Sequence, residues 1–248
     1  MFAFAGVSER SVTPLDIKIL ATGSSGNCYV ISDDVTKVMI ECGIKYADIM
    51  RGVEYNMDGL ETALISHHHK DHTLSAARMY KVGFELVMPP ECAETLCLTG
   101  KYKVYTPQPK QKLEFGTFEV FPFNLVHYNS DGTKCPCYGY FINSKNTNEH
   151  LIFATDTAYI KDTFGSKIDY LMLEVNYTSS CVDDNLVTEV EKRRLTSHMS
   201  LETAKAFIKT LDRSHLKAIY AIHASASRCD KQEVYDTLKK YAPEVIIP

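Results

Sequence analysis

Residues 66–72 form the segment that most constrains how this 248-residue chain folds. They have the sequence SHHHKDH and follow the apolar run TALI at 62–65, which is typical of a buried strand. Because side chains alternate along a strand, residues 67 and 69 point to one side where the strand ends. Imidazole nitrogen and carboxylate oxygen are the usual ligands of zinc and similar divalent ions. The segment therefore predicts neighbouring metal ions held by His67, His69, Asp71 and His72.

Other interpretations of a histidine-rich tract are a tag, a metal-scavenging tail or a solvated loop. This tract is internal, contains an interleaved acid and lies between a strand pattern and a helix predicted over 73–82. These three properties favour a metal site. His68 and Lys70 occupy the variable positions of the pattern, and we interpret them as loop side chains rather than ligands.

The pattern resembles the second motif of the metallo-β-lactamase superfamily. This resemblance implies a further histidine, a bridging aspartate and a last histidine, each at the end of a strand. Apolar runs end, in that order, at His127, Asp156 and His223. The resemblance implies two divalent ions bridged by Asp156, one held by His67, His69 and His127 and the other by Asp71, His72 and His223.

Strand-like and helical patterns follow one another without a linker, repeat or low-complexity tract. The fold class predicted with this resemblance is α+β. It is a metallo-β-lactamase fold in which two mixed β-sheets pack face to face and helices flank both outsides, giving a four-layer αβ/βα sandwich. We expect residues 1–248 to form a single domain. Strands are predicted at 17–21, 28–31 and 35–40, a second sheet over 115–153, and helices at 46–51, 91–98, 183–194, 201–211 and 231–241.

Composition excludes some classes of protein. The chain has 27 Lys and Arg against 31 Asp and Glu, so its net charge of −4 will not attract nucleic acid as a whole. No window is long and apolar enough for a transmembrane helix, and the first residues lack the basic segment of a secretory signal. The eight cysteines have no zinc-ribbon spacing and are typical of free thiols in a reducing compartment. We therefore expect a cytoplasmic protein without membrane association, of undetermined oligomeric state.

An acid and a histidine outside the ligand set are candidates for proton transfer. The apolar run 170–173 ends at Glu174, and His198 lies in the segment SHMS before a helical pattern. Similarity to ribonuclease Z and its relatives implies that such a pair donates a proton to the departing oxygen of a phosphodiester. We assign a catalytic role to both residues and to Asp71. The residues themselves leave open that Glu174 makes a structural salt bridge and that His198 only precedes a helix.

The segment GSSGN at 23–27 resembles the signature of the YycJ/WalJ-type exonuclease branch of this superfamily. That branch consists of intracellular metal-dependent DNA exonucleases acting on 5′ ends. One departure from the family is MIECG at 39–43, where Glu41 stands in place of aspartate and must support the ligands with a longer side chain. Candidate substrate contacts are Ser24, Ser25, Asn27, Lys192, Arg193 and Arg194, with Lys161 and Arg228 as further basic residues. The basic run at 192–194 is equally typical of a solvated helix end.

Spacing and ligand identity narrow the activity that the resemblance implies. Position 69 is His, where the diiron redox branch has Glu, and Asp156 supplies a bridging acid that the broad-resistance zinc lactamases tend to lack. The 29 positions from His127 to Asp156 are too few for the arm that clasps tRNA in many ribonuclease Z enzymes. The 67 positions from Asp156 to His223 are too few for the extra domain of β-CASP nucleases.

The sequence thus predicts a dinuclear metal-dependent hydrolase of phosphodiester bonds, specifically a DNA exonuclease that uses a metal-bridging hydroxide. Nucleic acid, as DNA, is the predicted substrate. Zn²⁺ is the expected metal, with Mn²⁺ and Fe²⁺ as alternatives. Two other functions stay open: a small-molecule phosphodiesterase or thioester hydrolase of the same fold, and a metal-binding module without turnover.

Overall fold

The computed structural model describes residues 13–182, 188 and 195–248, and these form two mixed β-sheets. The first sheet has six strands in chain order: β1 (Asp16–Ala21), β2 (Cys28–Ser32), β3 (Lys37–Ile40), β4 (Leu60–Leu64), β5 (Glu85–Val87) and β6 (Val104–Tyr105). The second has seven strands in reverse chain order: β7 (Leu113–Phe115), β8 (Phe118–Tyr128), β9 (Lys134–Ser144), β10 (Glu149–Ala154), β11 (Tyr170–Glu174), β12 (Ala218–Ile222) and β13 (Glu244–Ile246).

Helices cover the outer faces of the sheets. The helices include α1 (Tyr46–Gly52), α2 (Lys70–Thr73), α3 (Ala76–Lys81), α4 (Pro90–Thr95), α5 (Leu201–Lys209) and α6 (Lys231–Leu238), with a 3₁₀ turn at Ser179–Cys181. Of these, α2 belongs to the loop that follows β4 rather than to an outer layer. Local chemistry sets several of their starts. α4 begins at a proline, α5 is capped by Ser200, whose Oγ accepts from the Thr203 N–H, and α6 is capped by Asp230. The helix predicted over 183–194 lies outside the described residues.

Three apolar clusters hold the layers together. The central cluster lies between the sheets, where the Tyr29 ring of β2 meets the Phe153 ring of β10 edge to face at 5.6 Å. A second cluster packs the first sheet against α1 and α3, and a third packs the second sheet against α5 and α6. The two outer clusters are separated by the two sheets. The predicted four-layer αβ/βα sandwich is therefore confirmed.

Each sheet contains both antiparallel and parallel strand pairs, with one change from antiparallel to parallel pairing. β3 to β6 run parallel in the first sheet, and β10 to β13 run parallel in the second. The carboxyl ends of parallel strands lie along one edge of a sheet, where ligand sites of α/β folds are usually built. β4 delivers residues 66–72 to this edge, β11 ends there with Glu174, and Asp156 and His223 follow β10 and β12.

Several local predictions differ from the structure. The helix predicted over 73–82 is interrupted because the Ser75 N–H donates to the Cys42 carbonyl and the Ser75 hydroxyl donates to the Ile44 carbonyl. The sequence favours an elaborated loop over 130–137, but only a short hairpin turn separates the end of β8 at Tyr128 from the start of β9 at Lys134. The short strands β5, β6 and β13 were not predicted. Within the described ranges, every helix is too short or too polar to cross a lipid bilayer.

Candidate metal centre

Three imidazoles and a thiol form the first half of the site. His67 and His69 follow β4, and His127 lies near the end of β8. His69 Nδ1 lies 2.9 Å from His67 Nε2 and 3.3 Å from His127 Nε2. These three nitrogens and the Sγ of Cys135 all lie within 4.8 Å of one another. Converging nitrogens at this spacing suit a single divalent ion.

Two carboxylates and two imidazoles form the second half. The side chains are those of Asp71, His72, Asp156 and His223, and their ligand atoms also lie within 4.8 Å of one another. His72 Nε2 is 3.4 Å from Asp71 Oδ2 and 3.5 Å from Asp156 Oδ2, and His223 Nε2 is 3.3 Å from Asp156 Oδ1. The structure thus brings together all seven residues that the sequence indicated as ligands.

Asp156 lies between the two halves of the site. Its Oδ2 is 3.8 Å from both His67 Nε2 and His127 Nε2, while its Oδ1 faces His223. Both Asp156 and His223 have positive backbone φ angles, 47° and 54°. Non-glycine residues adopt such angles uncommonly, and residues held in strained conformations are concentrated at functional sites.

Hydrogen bonds from outside the cluster orient most of the imidazole rings. The outer nitrogen of His69 faces Asn129 Oδ1 at 2.9 Å, that of His72 faces Glu41 Oε1 at 3.2 Å, and that of His223 faces Glu174 Oε1 at 3.2 Å. Because each acceptor takes the N–H of its ring, the lone pair of the other nitrogen points into the cluster. His127 is the exception, since its Nδ1 is buried without a hydrogen-bond partner.

The donor set fits divalent ions. Four carboxylates converge here, of which Glu41, Asp156 and Glu174 are buried and Asp71 is partly exposed. Such a concentration of buried negative charge needs positive charge nearby. His223 Nε2 is in addition buried without a hydrogen bond of good geometry. Lone pairs facing one another around buried carboxylates are what a cation-binding cluster requires.

The pKa values of the histidines differ between the two halves. Burial lowers the pKa of His127 to about 4 and also lowers that of His67. Burial acts in the same direction on His223, but the carboxylates of Asp156, Asp71 and Glu174 together outweigh it and raise the pKa of His223 to about 10. Asp156 and Glu41 likewise raise the pKa of His72 against the effect of burial. His67 and His127 are thus neutral imidazoles suited to metal binding, and the second half attracts positive charge.

Gly43 allows the metal-binding loop to approach the first sheet. A Cβ at this position would lie 1.7 Å from the backbone oxygen of Asp71. The Gly43 N–H donates to the carbonyl of Asn27, and the Asn27 N–H donates to that same Asp71 oxygen. Glycine is therefore required by close backbone approach.

Replacing Gly43 with alanine should displace the backbone around Asp71 and lower the free energy of unfolding by about 1–3 kcal/mol, as overpacking does elsewhere. Urea unfolding measures the change. Gly165→Ala is the matched control, since a Cβ there meets nothing within 4 Å. Equal stability of the two variants would contradict the close approach.

Glu41 supports His72 from a fully buried position, as expected from its place in the MIECG segment. Its carboxylate oxygens each lie 3.3 Å from the Ser66 N–H, and one lies 3.2 Å from His72 Nδ1. Glu41→Gln should weaken metal affinity about 10- to 100-fold, because partners that orient a ligating histidine have effects of this size. Competition with a chromogenic chelator measures it. Glu149→Gln, another buried carboxylate that contacts Lys217, should leave affinity unchanged.

Glu174 and His198 lie directly beside the cluster. His198 Nδ1 is 2.6 Å from Glu174 Oε1, and the His198 ring stacks on His223 with centroids 5.5 Å apart. Glu174 Oε2 also accepts from the Thr157 and Met199 backbone N–H groups. Burial opposes protonation of His198, but the Glu174 carboxylate outweighs it and raises the pKa of His198. The pair is therefore arranged to keep a proton on His198.

The predicted substrate contacts fall into three groups. Ser24 and Ser25 are exposed at the tip of the loop after β1, whose Thr22 hydroxyl accepts from the His223 N–H at 2.9 Å. Asn27 is instead fully buried, and its amide bonds Gly23 and the Asp71 backbone, so it positions the loop rather than meeting substrate. Lys192, Arg193 and Arg194 lie outside the described residues. Lys161 is exposed, with its Nζ 5.6 Å from the Tyr159 ring centroid, and Arg228 is half-buried.

Sequence reasoning missed several residues that touch the ligands. Asn129 orients His69, and Asn176 bonds the His223 carbonyl through its side-chain amide at 2.9 Å. The Ser66 hydroxyl lies 2.9 Å from His67 Nδ1. Cys135 belongs to the first half of the site. Asn129 and Ser66 are close to ligands in sequence, but no residue pattern pointed to Cys135.

Comparisons with known proteins agree with this geometry. The family model of the beta-lactamase superfamily domain matches residues 36–224. Exodeoxyribonuclease WalJ of Streptococcus pneumoniae is 25% identical over 238 residues, covering 89% of this chain and 85% of that protein. Exodeoxyribonuclease YycJ of Bacillus anthracis is 24% identical over 224 residues, covering 85% and 83%.

The fold has close structural counterparts. The metallo-β-lactamase fold protein YhfI of Bacillus subtilis superposes with a TM-score of 0.72 at 17% identity, covering 95% of this chain and 97% of that one. The family match spans well over half of the chain and contains the whole ligand cluster. With the four-layer sandwich and the cluster at the strand ends, these findings identify the chain as a member of the metallo-β-lactamase superfamily.

Proposed function

We propose that this metal-dependent hydrolase binds two divalent ions and cleaves phosphodiester bonds of nucleic acid, as a DNA exonuclease. The observation that carries the proposal is the Glu174–His198 pair, which packs against the second half of the ligand cluster. A proton donor at this point suits a reaction whose leaving group is an alkoxide oxygen. Zn²⁺ is the proposed metal, because imidazole-rich sites favour it.

The seven proposed ligands form two groups, one for each ion. His67, His69 and His127 would hold one ion, Asp71, His72 and His223 the other, and Asp156 would contact both. When bound, such ions supply an activated water and offset charge on the phosphoryl oxygens.

His198 would complete the reaction. Its Nδ1 is engaged with Glu174, which leaves Nε2 to give a proton to the departing oxygen. Glu174 fixes the ring and favours its protonated form. Asp71 is partly exposed, so its carboxylate would be within reach of both solvent and the ions. Ser24 and Ser25 would contact the substrate backbone from the neighbouring loop.

DNA is proposed as the substrate because both curated relatives are exodeoxyribonucleases and match most of the chain. The net charge of −4 does not attract a polyanion, so affinity must come from the ions and from local basic residues. The proposal includes a cytoplasmic location, where the protein would meet DNA ends.

The test is a comparison of substrates with one preparation. Protein loaded with Zn²⁺ or Mn²⁺ is incubated with DNA labelled at either end, RNA of the same sequence, bis-p-nitrophenyl phosphate and a glutathione thioester. Stepwise shortening of DNA, faster than of RNA, is the expected result. Cleavage of the thioester alone would overturn the phosphodiesterase proposal, and inertness toward all four would favour a metal-binding module. Hydrolysis of only the small phosphate ester would favour a small-molecule phosphodiesterase.

A further inference from the structure

Cys135 lies among the ligand atoms of the first half of the site. Its Sγ and the facing nitrogens of His67, His69 and His127 are mutually within 4.8 Å. The residue is buried, and its thiol also lies 3.7 Å from His68 Nδ1. The neighbouring Cys137 differs, because its Sγ approaches His67 Nδ1, the outer nitrogen of that ring, at 3.8 Å.

The register of one hairpin explains why the thiol is there. β8 and β9 pair antiparallel with His127 directly opposite Cys135. Directly opposed residues of an antiparallel pair project from the same face of the sheet. Since His127 points into the cluster, Cys135 must do so too. The short turn between the strands fixes this register, because the Asn129 and Thr133 backbones are hydrogen bonded to each other.

We propose that Cys135 is an additional ligand of the ion held by His67, His69 and His127. As the sulfur–metal bond forms, the thiol proton is released to water, and the site gains a negative charge without any change of oxidation state. A thiolate is a soft ligand that favours Zn²⁺ and Co²⁺ over the harder Mn²⁺ and Mg²⁺. The first ion would therefore be selected more strictly for zinc than an imidazole–carboxylate site requires. The inference rests on the metal site and not on the substrate.

Cobalt substitution tests the ligand directly, without measuring turnover. Metal-free protein is titrated with Co²⁺, and its absorption is followed in the near ultraviolet, where sulfur-to-cobalt charge transfer gives an intense band. The wild-type protein should show this band, Cys135→Ser should lose it, and Cys137→Ser should keep it. Zinc affinity, measured by chelator competition, should fall at least roughly tenfold in Cys135→Ser and stay unchanged in Cys137→Ser.

Each other outcome counts against the proposal. Cobalt binding without the charge-transfer band in wild-type protein would overturn it while leaving the metal site and the nuclease function intact. A band that survives in Cys135→Ser but is lost in Cys137→Ser would show that Cys137, and not Cys135, is the sulfur ligand. Failure of wild-type protein to bind cobalt at all would overturn both the metal centre and this inference. Circular dichroism shows that the variants compared are folded.

Discussion

Asp156→Ala should lose bound metal and catalytic activity together. Asp156 contacts imidazoles of both halves of the site, and its loss would leave the two proposed dications without the negative charge between them. Two dications about 4 Å apart repel one another by roughly 16 kcal/mol even at an effective dielectric constant of about 20. We expect activity to fall by more than roughly 1,000-fold, since removing a single oxyanion donor from an active site already costs about 10²–10³ in kcat.

Elemental analysis of the purified variant and a nuclease assay check this prediction side by side. Asp162→Ala is the matched control, because it removes the same charge from the same loop, where Asp162 pairs with Lys110 at 2.8 Å. The control should keep its metal content and activity. An Asp156→Ala protein with full metal occupancy and full turnover would remove the basis for a bridged pair of ions.

His198→Ala should slow DNA cleavage by about 10²–10⁴-fold, the usual contribution of a general acid, while its metal content stays at the wild-type value. His198 touches ligand residues through ring contacts with His127 and His223 but is not among the seven proposed ligands. The defect should be much smaller with bis-p-nitrophenyl phosphate, because nitrophenolate departs without needing a proton. This dependence on the leaving group distinguishes proton donation from general disruption of the site.

His150→Ala provides the comparison for that variant. The His150 side chain is 19% exposed against 17% for His198, and it also lies near a carboxylate, with its Nδ1 3.8 Å from Asp169. His150 lies near the start of β10, whereas the ligand Asp156 follows the end of this strand. Cleavage of both substrates should be unaffected. An equal loss of activity toward DNA and the nitrophenyl ester in His198→Ala would argue for a structural role of His198.

The parts of the fold that sequence could predict are those with strong local signals. The loop 66–72 contains four ligands directly after an apolar strand, and each later ligand also ends an apolar run. Because all of them lie at the carboxyl ends of predicted strands, their convergence could be expected. Sequence could not show that Ser75 would interrupt the helix by hydrogen bonding to the backbone of Cys42 and Ile44 after β3, because these contacts are tertiary. The two-residue strand β6 has too little sequence to carry a periodic pattern.

The other residues that contact the ligands could not be predicted from the sequence for a different reason. Asn129, Asn176 and Cys135 are ordinary loop and strand residues in the sequence, and their roles depend on which side chain lies opposite in space. Cys135 faces His127 only because a hairpin of one particular register connects them. A shift of that register by one residue would turn the thiol to the other face of the sheet. The histidine and aspartate ligands can therefore be predicted from the sequence, whereas the proposed cysteine ligand and the residues that orient the ligands depend on packing.

The ligand cluster draws on both sheets: residues 67–72 follow a strand of the first, and His127, Asp156 and His223 follow or end strands of the second. Bound ions therefore fasten the two halves of the sandwich to each other along one rim. A free ion concentration 100 times the dissociation constant adds about 2.7 kcal/mol to the stability of a folded protein for each such site. Depletion of the bound ion would thus speed degradation of the protein by proteases as well as abolish its activity.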